Sequence, residues 1–275
     1  MARYKLILAY DGAAFAGSQR QAAAAHSRSG RGRTVQGELE RALRDLGWHG
    51  RSVLLAGRTD AGVHASGQVA AVDLEWPHPA QALREALNAR LPFELVVREA
   101  EAVEAGFHPR FDARSRHYRY SLFCGPVRDP LRERFAWRVW PAFDPELLQQ
   151  AARLLVGRHD FGAFGSAPGK RGDTLRSVML AEWRPSADRR TRRFEVAADA
   201  FLYRMVRRLV FVQVAVAQGR CTQDAVREAL EGGARKAGLP AGLAPAHGLE
   251  LVQVDYGSPG ARDTGGRTGA IDPDP

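Results

Sequence analysis

The chain has 275 residues, 45% of them hydrophobic, and carries a formal net charge of +9 at pH 7. This size allows one large or two modest domains with hydrophobic cores, and the apolar blocks are too short to cross a bilayer. Asp11 interrupts the N-terminal apolar stretch too early for a signal peptide, and Cys124 and Cys221 form no metal-ligand motif or disulfide framework. We therefore expect a cytoplasmic protein, and the excess of arginine indicates a polyanionic partner such as a nucleic acid.

The first half of the chain alternates strand and helix patterns. Apolar residues at every second position predict a strand over residues 3–10, which an Asp-Gly pair ends. A segment rich in Ala, Arg, Gly and Ser at residues 20–33 is typical of a mobile basic loop. Thr34 then caps a helix that ends at Gly47. Further predicted elements are strands at 52–56, 67–75 and 94–100 and a helix from Pro79 to about Arg90.

The second half repeats this alternation. Asp144 and Pro145 start a helix that Gly157 stops, and a longer apolar helix spans about residues 201–217. Residues 258–275 are rich in Gly, Pro, Asp and Thr and predict a disordered tail. Further predicted elements are strands at 116–123, 135–140, 175–184 and 192–199, a short helix from Thr222 and a final strand at 249–256.

This order of elements predicts an α+β fold with two related lobes. We expect each lobe to contain a mixed or antiparallel sheet flanked by helices, with the active-site cleft between the lobes. The N-terminal lobe, at residues 1–107, would carry the loop around Asp60, and the C-terminal lobe would span residues 108–257.

The most informative segment is GRTDAGVHASGQV, residues 57–69, which lies between two predicted strands. A loop held at both ends by a sheet is a common place for reactive groups. Asp60 is its only acid and lies two residues from Arg58. Three interpretations stay open from the residues alone: Asp60 caps a turn or pairs with Arg58, it binds a metal with His64, or it is a nucleophile or general base. The first is the usual role of a loop aspartate.

The segment closely resembles the active-site signature of the tRNA pseudouridine synthase A family, and the likeness covers about residues 3–256. Other segments agree with the family in the same order along the chain. They are Tyr10-Asp11-Gly12, Phe15-x-Gly17-x-Gln19, Thr34-Val35-Gln36-Gly37, Leu39-Glu40, Asn88, Leu91-Pro92, Phe107-His108, Arg110-Phe111-Asp112-Ala113, Arg116-x-Tyr118-x-Tyr120, Gly157-x-His159-Asp160-Phe161, Met205-Val206-Arg207, Ala244-Pro245-Ala246 and Gly248-Leu249.

The resemblance implies an enzyme that isomerises uridine to pseudouridine in the anticodon stem-loop of tRNA, at positions 38 to 40. It implies that Asp60 is the nucleophile, that Arg58 pairs with Asp60 and helps to fill the space left by the extruded nucleotide, and that Tyr118 stacks on the target uracil. Arg207 lies in an otherwise apolar helix and needs a partner, which by resemblance is Asp60. The family also implies tRNA as the partner, no cofactor or metal, and a homodimer.

Several residues beside these are assigned less specific roles. Arg204 and Arg208 are expected to face solvent or RNA, and residues 20–33 and 184–193 are candidate RNA-binding segments. His64, Gln68, His108 and His159 are assigned to packing or RNA contact. Departures from the family pattern, expected to affect RNA-contacting loops and packing, are Ser18 where tryptophan is frequent, the long loop after Gln21, and Phe211 where glycine is frequent.

Three rival functions remain possible from the sequence. A non-catalytic RNA-binding protein of the same fold would retain Asp60 without using it, and a metal-dependent hydrolase would use Asp60 with His64. A pseudouridine synthase of different RNA-site specificity would share the chemistry but not the target.

Overall fold

The computed structural model describes residues 1–20, 32–167, 172–187, 190–232 and 238–257. Most of the predicted basic loop at 20–33 and the whole predicted tail at 258–275 lie outside the described residues. The predictions for these two segments therefore stay predictions.

The described residues of the first half form four strands and two helices. Thr34 caps the first helix as predicted, because its side-chain oxygen accepts a hydrogen bond from the Gly37 N–H. The strand predicted at 52–56 is reduced to two residues, whereas the one predicted at 67–75 begins earlier, at His64. The elements are β1 (Ala2–Tyr10), α1 (Val35–Arg44), β2 (Leu54–Leu55), β3 (His64–Leu74), α2 (Ala80–Asn88) and β4 (Leu95–Val103).

The second half contains six strands and three helices in the described residues. Its helix at 201–217 was predicted to start too early, because Tyr203 first pairs with Ser166 in a β-bridge and the helix begins at Met205. A strand at Gly157–Asp160 was not predicted, because its residues lack apolar alternation. The elements are β5 (Ser115–Cys124), β6 (Trp137–Val139), α3 (Pro145–Arg153), β7 (Gly157–Asp160), β8 (Leu175–Pro185), β9 (Thr191–Ala198), α4 (Met205–Ala217), α5 (Gln223–Gly232) and β10 (Leu249–Asp255).

One ten-stranded sheet runs through both halves in the order β4-β1-β3-β10-β5-β9-β8-β7, with β2 beside β3 and β6 beside β5. The halves meet where β10 pairs in parallel with β3 and antiparallel with β5. The predicted α+β class with two related lobes is confirmed, and the two lobe sheets join edge to edge into one. The boundary between residues 107 and 108 stays a prediction.

The two faces of the sheet differ in polarity. On one face, Tyr120 and Phe194 are fully buried in a core that includes helix residues such as Leu209. The other face carries ion pairs, among them the one between Arg119 and Glu195 at 2.7 Å. This alternation along each strand is what a sheet covered by helices on one side requires. No helix in the described part of the chain is long and apolar enough to span a membrane.

Candidate active site

The segment that carries Asp60 forms a tight turn at the start of β3. The Val63 N–H donates to the Asp60 carbonyl at 3.1 Å, and Gly62 has a φ of 81°. A positive φ at the third residue of such a turn favours glycine. Because β3 begins at His64 and not at residue 67, the second half of the 57–69 segment is strand, and the loop is shorter than predicted.

Hydrogen bonds from β1 and the segment that follows it hold this turn in place. The Ser18 N–H donates to the Thr59 carbonyl at 3.0 Å, and the Thr59 N–H donates to the Ser18 hydroxyl oxygen at 2.8 Å. The Tyr10 hydroxyl lies 2.9 Å from the Thr59 hydroxyl, and the Gly62 N–H donates to the Gly12 carbonyl. Ser18 is fully buried, so this departure from the family pattern acts in the packing of the Asp60 turn.

Asp60 and Arg207 form the ion pair that the family resemblance implies. The Nη1 atom of Arg207, on α4, donates to Oδ2 of Asp60 at 2.9 Å, and the two side chains are 15% and 24% exposed. Arg207 also donates from Nε to the Ala244 carbonyl at 2.8 Å. Asp60 belongs to the first half of the chain and Arg207 to the second, so the pair spans the predicted cleft between the lobes.

Arg58 does not pair with Asp60, and that prediction is wrong. The Arg58 side chain is exposed and makes no hydrogen bond or ion pair with any residue that the structure describes. Thr59, between them, is turned into the core, and the carboxylate beyond it faces α4 instead. Nearness in sequence therefore did not bring the Arg58 guanidinium to Asp60.

Tyr118 lies buried at the centre of β5, with 9% of the residue exposed. Its ring meets Phe201 edge to face at a centroid distance of 5.1 Å. Burial raises the pKa of the Tyr118 hydroxyl far above its usual value, and Tyr10 and the Asp60 carboxylate raise it further, while Arg116 opposes them. Tyr118 also lies in register with Leu251 of β10, which pairs with Ala65 of β3, five residues after Asp60.

Three other arginines have contacts that the sequence did not predict. Nε of Arg204 lies 3.8 Å from Oδ2 of Asp60. Arg208 was expected to face solvent or RNA, but it donates to the Gly242 carbonyl at 2.9 Å and holds the chain after α5. Arg116 donates to four backbone carbonyls, those of Ala56, Arg110, Ala113 and Asp199. Apart from the bonds of Arg116 to Ala113 and Arg110, these contacts join distant parts of the chain, and no local pattern signals them.

His64 contacts Gly12 and Asp11 and does not contact Asp60. Its Nδ1 accepts the Gly12 N–H at 3.1 Å and lies 3.1 Å from Oδ1 of Asp11. Burial lowers the pKa of His64, although Asp11 opposes this effect. The described residues contain no group of three or more His, Cys, Asp or Glu side chains that could hold a metal ion.

Gln68, His108 and His159, which the sequence assigns to packing or RNA contact, each make a contact within the fold. Gln68 donates to the Gly57 carbonyl at 2.9 Å, His108 accepts the Arg110 N–H at 3.1 Å, and Nε2 of His159 lies 3.0 Å from the Val156 carbonyl.

A cavity of about 670 Å³ opens on the sheet face opposite Tyr118, and Asp60 does not line it. Arg119, which alternates with Tyr118 along β5, is in its lining, as are Asp11 and His64. Phe93, fully exposed, and Phe135, 51% exposed, also line it. The cavity is therefore separate from the site around Asp60.

Comparison with known proteins identifies the family of the chain. The model of the family described as tRNA pseudouridine synthase matches residues 6–112 and 151–257. The protein named tRNA pseudouridine synthase A from Shouchella clausii is 39% identical to the chain, over 94% of the chain and 95% of the relative. The protein of the same name from Solidesulfovibrio magneticus is 42% identical, over 94% of the chain and 93% of the relative. The tRNA pseudouridine synthase A from Chloroflexus aurantiacus is 40% identical, over 91% of this chain and 87% of the relative. The chain therefore belongs to the tRNA pseudouridine synthase family of isomerases.

Proposed function

We propose that this enzyme converts uridine to pseudouridine in the anticodon stem-loop of tRNA, at positions 38, 39 and 40, with Asp60 as the nucleophile. The observation that carries the proposal is the partly exposed Asp60 carboxylate, held by Arg207 from the other half of the chain. Because tRNA is the substrate, we also propose that the enzyme works in the cytoplasm.

The reaction exchanges one bond for another. The bond from ribose C1′ to uracil N1 breaks, the base rotates, a bond from C1′ to C5 forms, and the C5 proton is lost while N1 gains one. No electrons are gained or lost, so the proposal needs no cofactor or metal. Among the described residues, Arg207 and Arg204 both approach Oδ2 of Asp60, and no hydrogen bond reaches Oδ1. This supports Oδ1 as the atom that forms a transient bond to the nucleotide, a bond that breaks again to release the carboxylate before the product leaves.

Tyr118 and Arg58 would bind the substrate. The raised pKa of Tyr118 keeps its hydroxyl neutral, so we assign the ring to stacking on the uracil and not to proton abstraction. Arg58 is exposed beside the turn, which supports a role in contacting RNA and filling the space left by the extruded nucleotide. Arg207 orients the carboxylate.

The test compares the parent with Asp60→Asn. The amide is nearly isosteric but a far poorer nucleophile, so tRNA affinity should stay within a few-fold while pseudouridine at positions 38–40 falls below detection. The matched control is Asp45→Asn, which changes an exposed aspartate at the end of α1 and should leave both quantities unchanged. Substantial pseudouridine formation by Asp60→Asn would refute the nucleophile assignment.

The same experiment separates the rival functions. A non-catalytic RNA-binding protein would show no pseudouridine formation in the parent. A metal-dependent hydrolase would contain a bound ion that Asp60→Asn loses, and chelator would inhibit it. A synthase of different specificity would form pseudouridine outside positions 38–40. The proposal requires parent activity in the presence of chelator.

We also propose that the chain forms a homodimer through the face that carries the 670 Å³ cavity. A monomer rarely leaves large aromatic residues such as Phe93 fully exposed on a shared surface with Phe135. The lining contains carboxylates, including Glu94 and Glu250, as well as arginines. Such mixed charge suits a self-complementary contact between two copies better than a contact with phosphates.

Sedimentation velocity tests the dimer. Phe93→Asp should convert it to monomers, whereas Met179→Asp, at an apolar residue that is 55% exposed and does not line the cavity, should not. A parent that sediments as a monomer at micromolar concentration would contradict the proposal.

A further inference from the structure

Arg204 has a backbone conformation that its residue type disfavours. Its φ of 60° and ψ of 9° are left-handed, and within the described ranges it is the one non-glycine residue with a positive φ. Arginine lacks the short polar side chain with which asparagine or aspartate tolerates this region. Arg204 is also the N-cap of α4 without a side-chain hydrogen bond to the helix. Neither the backbone conformation nor the capping of α4 therefore explains why this position is an arginine.

The left-handed turn directs the Arg204 side chain to the mouth of the active site. Its guanidinium carbon lies 4.7 Å from the centroid of the Tyr203 ring, a cation–π distance, and its Nε lies 3.8 Å from Oδ2 of Asp60. The side chain remains 51% exposed. Strained backbone that persists at such a place is typical of a functional position.

Asp60 does not need this second cation. Arg207 already donates to the same oxygen at 2.9 Å from a mostly buried position. Arg204 is farther from the carboxylate and half exposed, so most of its donors remain free for another anion. With Arg207, two guanidinium groups approach the one carboxylate of Asp60.

We infer that Arg204 is a substrate-binding residue that holds a backbone phosphodiester of the RNA next to the nucleotide facing Asp60. The inference rests on the proposed function, because it takes RNA as the ligand at Asp60. A planar guanidinium can donate two parallel hydrogen bonds to the two free oxygens of a phosphodiester. The cation–π contact with the Tyr203 ring fixes the orientation of the Arg204 guanidinium.

The experiment uses Arg204→Gly, which removes the guanidinium and also relieves the left-handed backbone. The tRNA dissociation constant should rise about tenfold, and the slope of log affinity against log salt should become shallower by roughly 0.7 to 0.9, the loss of one phosphate contact. The midpoint of thermal unfolding should not fall, which excludes a folding defect. Arg204→Lys should keep part of the affinity, since the lysine point charge still attracts phosphate.

Two comparisons make the result specific. Arg227→Ala removes an exposed arginine of α5 that pairs with Asp224, and it should leave the salt slope unchanged. In an Asp60→Asn background, Arg204→Gly should still weaken binding about tenfold, since the phosphate contact does not require the carboxylate.

The opposite outcomes overturn the inference. An unchanged salt slope and dissociation constant with a lower kcat would mean that Arg204 acts through Asp60, and so would loss of the effect in the Asp60→Asn background. Parent pseudouridine formation is measured separately, so failure of the proposed function is distinguishable from failure of this inference.

Discussion

Arg207 connects three segments that are far apart in sequence. It pairs with Asp60, 147 positions away, and bonds the Ala244 carbonyl, 37 positions away. Its helix neighbours Val206 and Leu209 are buried, so a guanidinium at this position would be costly without these partners. The need for a partner could be predicted from the helix composition. The identity of that partner came from the family resemblance, because no local spacing relates positions so distant.

Substitutions at Tyr118 separate its ring from its hydroxyl. Tyr118→Phe keeps the ring and should turn over tRNA at close to the parent rate. Tyr118→Ala loses stacking worth about 1–3 kcal/mol and should raise KM or lower kcat by roughly one to two orders of magnitude. Single-turnover kinetics on an anticodon stem-loop RNA would measure both.

The pH dependence of the rate is a control for the role of the Tyr118 hydroxyl. Because its pKa is raised, Tyr118 stays neutral at least to pH 10, and the alkaline limb of the pH–rate profile should be the same for the parent and Tyr118→Phe. Since Tyr118 is buried, Tyr118→Ala must be assayed below its own unfolding temperature. A Tyr118→Ala enzyme with parent kinetics would show that Tyr118 only packs the core.

At the scale of elements, the pairing of β3 with β10 sets the geometry of the site. Ala65, five residues after Asp60, pairs with Leu251, and Leu251 pairs with Tyr118 on the next strand. The distance between the carboxylate and the ring is thus fixed by the register of three adjacent strands. This register depends on contact between chain segments nearly two hundred positions apart, which hydrophobic alternation cannot reveal.

Gly67 allows β3 and β10 to approach each other. A Cβ at this residue would lie 2.1 Å from the Val252 carbonyl oxygen, which is backbone and cannot move aside alone. Gly67→Ala should therefore lower stability by at least about 2 kcal/mol, or the unfolding midpoint by roughly 4–8 °C. Gly106→Ala, where nothing lies within 4 Å of the added carbon, should change the midpoint little. Equal midpoints for the two variants in calorimetry would contradict this role of Gly67.

The pairing of β5 with β9 should make stability depend on acid pH through Glu195. Burial raises the pKa of Glu195, but His117 and Arg119 lower it more, so the net shift is downward. A lowered pKa contributes stability that is present above the unfolded value of about 4.3 and is lost as pH falls through the folded value. In urea titrations, Glu195→Gln should be less stable than the parent at pH 7, with a difference that shrinks toward pH 3. A difference independent of pH would contradict the assignment.

Helix starts were predictable where a cap residue marks them, and strands were predictable where alternation is strong. Thr34 and Asp144 both accept hydrogen bonds at the N-termini of their helices, as the sequence indicates. The start of α4 was wrong because Tyr203 pairs with Ser166, a tertiary contact. The strand pattern at 135–140 was only partly confirmed, since β6 keeps three residues beside β5. Local signals therefore located most of the elements but not the strand Gly157–Asp160, and the assembly of the elements into one sheet required the structure.

At the scale of the whole molecule, positive charge and the Asp60 site point to the same ligand. The chain has 40 lysines and arginines against 31 acidic residues. Family membership establishes the reaction class, whereas the roles of Asp60, Tyr118, Arg58 and Arg207 remain predictions. An enzyme that binds its substrate through backbone phosphates must release counterions from the RNA on binding, and this release makes affinity depend on salt.

We expect tRNA affinity to fall at least tenfold between 50 and 200 mM KCl. Each phosphate contact contributes a slope of roughly 0.7 to 0.9 on logarithmic axes, so a fourfold rise in salt costs roughly threefold in affinity per contact. Three contacts therefore already give more than about tenfold. Filter binding or fluorescence anisotropy with unmodified tRNA would measure the slope, and unfolding midpoints over the same range would control for effects of salt on folding. Arg58 and Arg204 are both exposed, so their contacts supply two of these phosphates in the proposed complex. An affinity that is flat across this range, with the fold intact, would mean that the enzyme recognises its substrate without its arginine-rich surface.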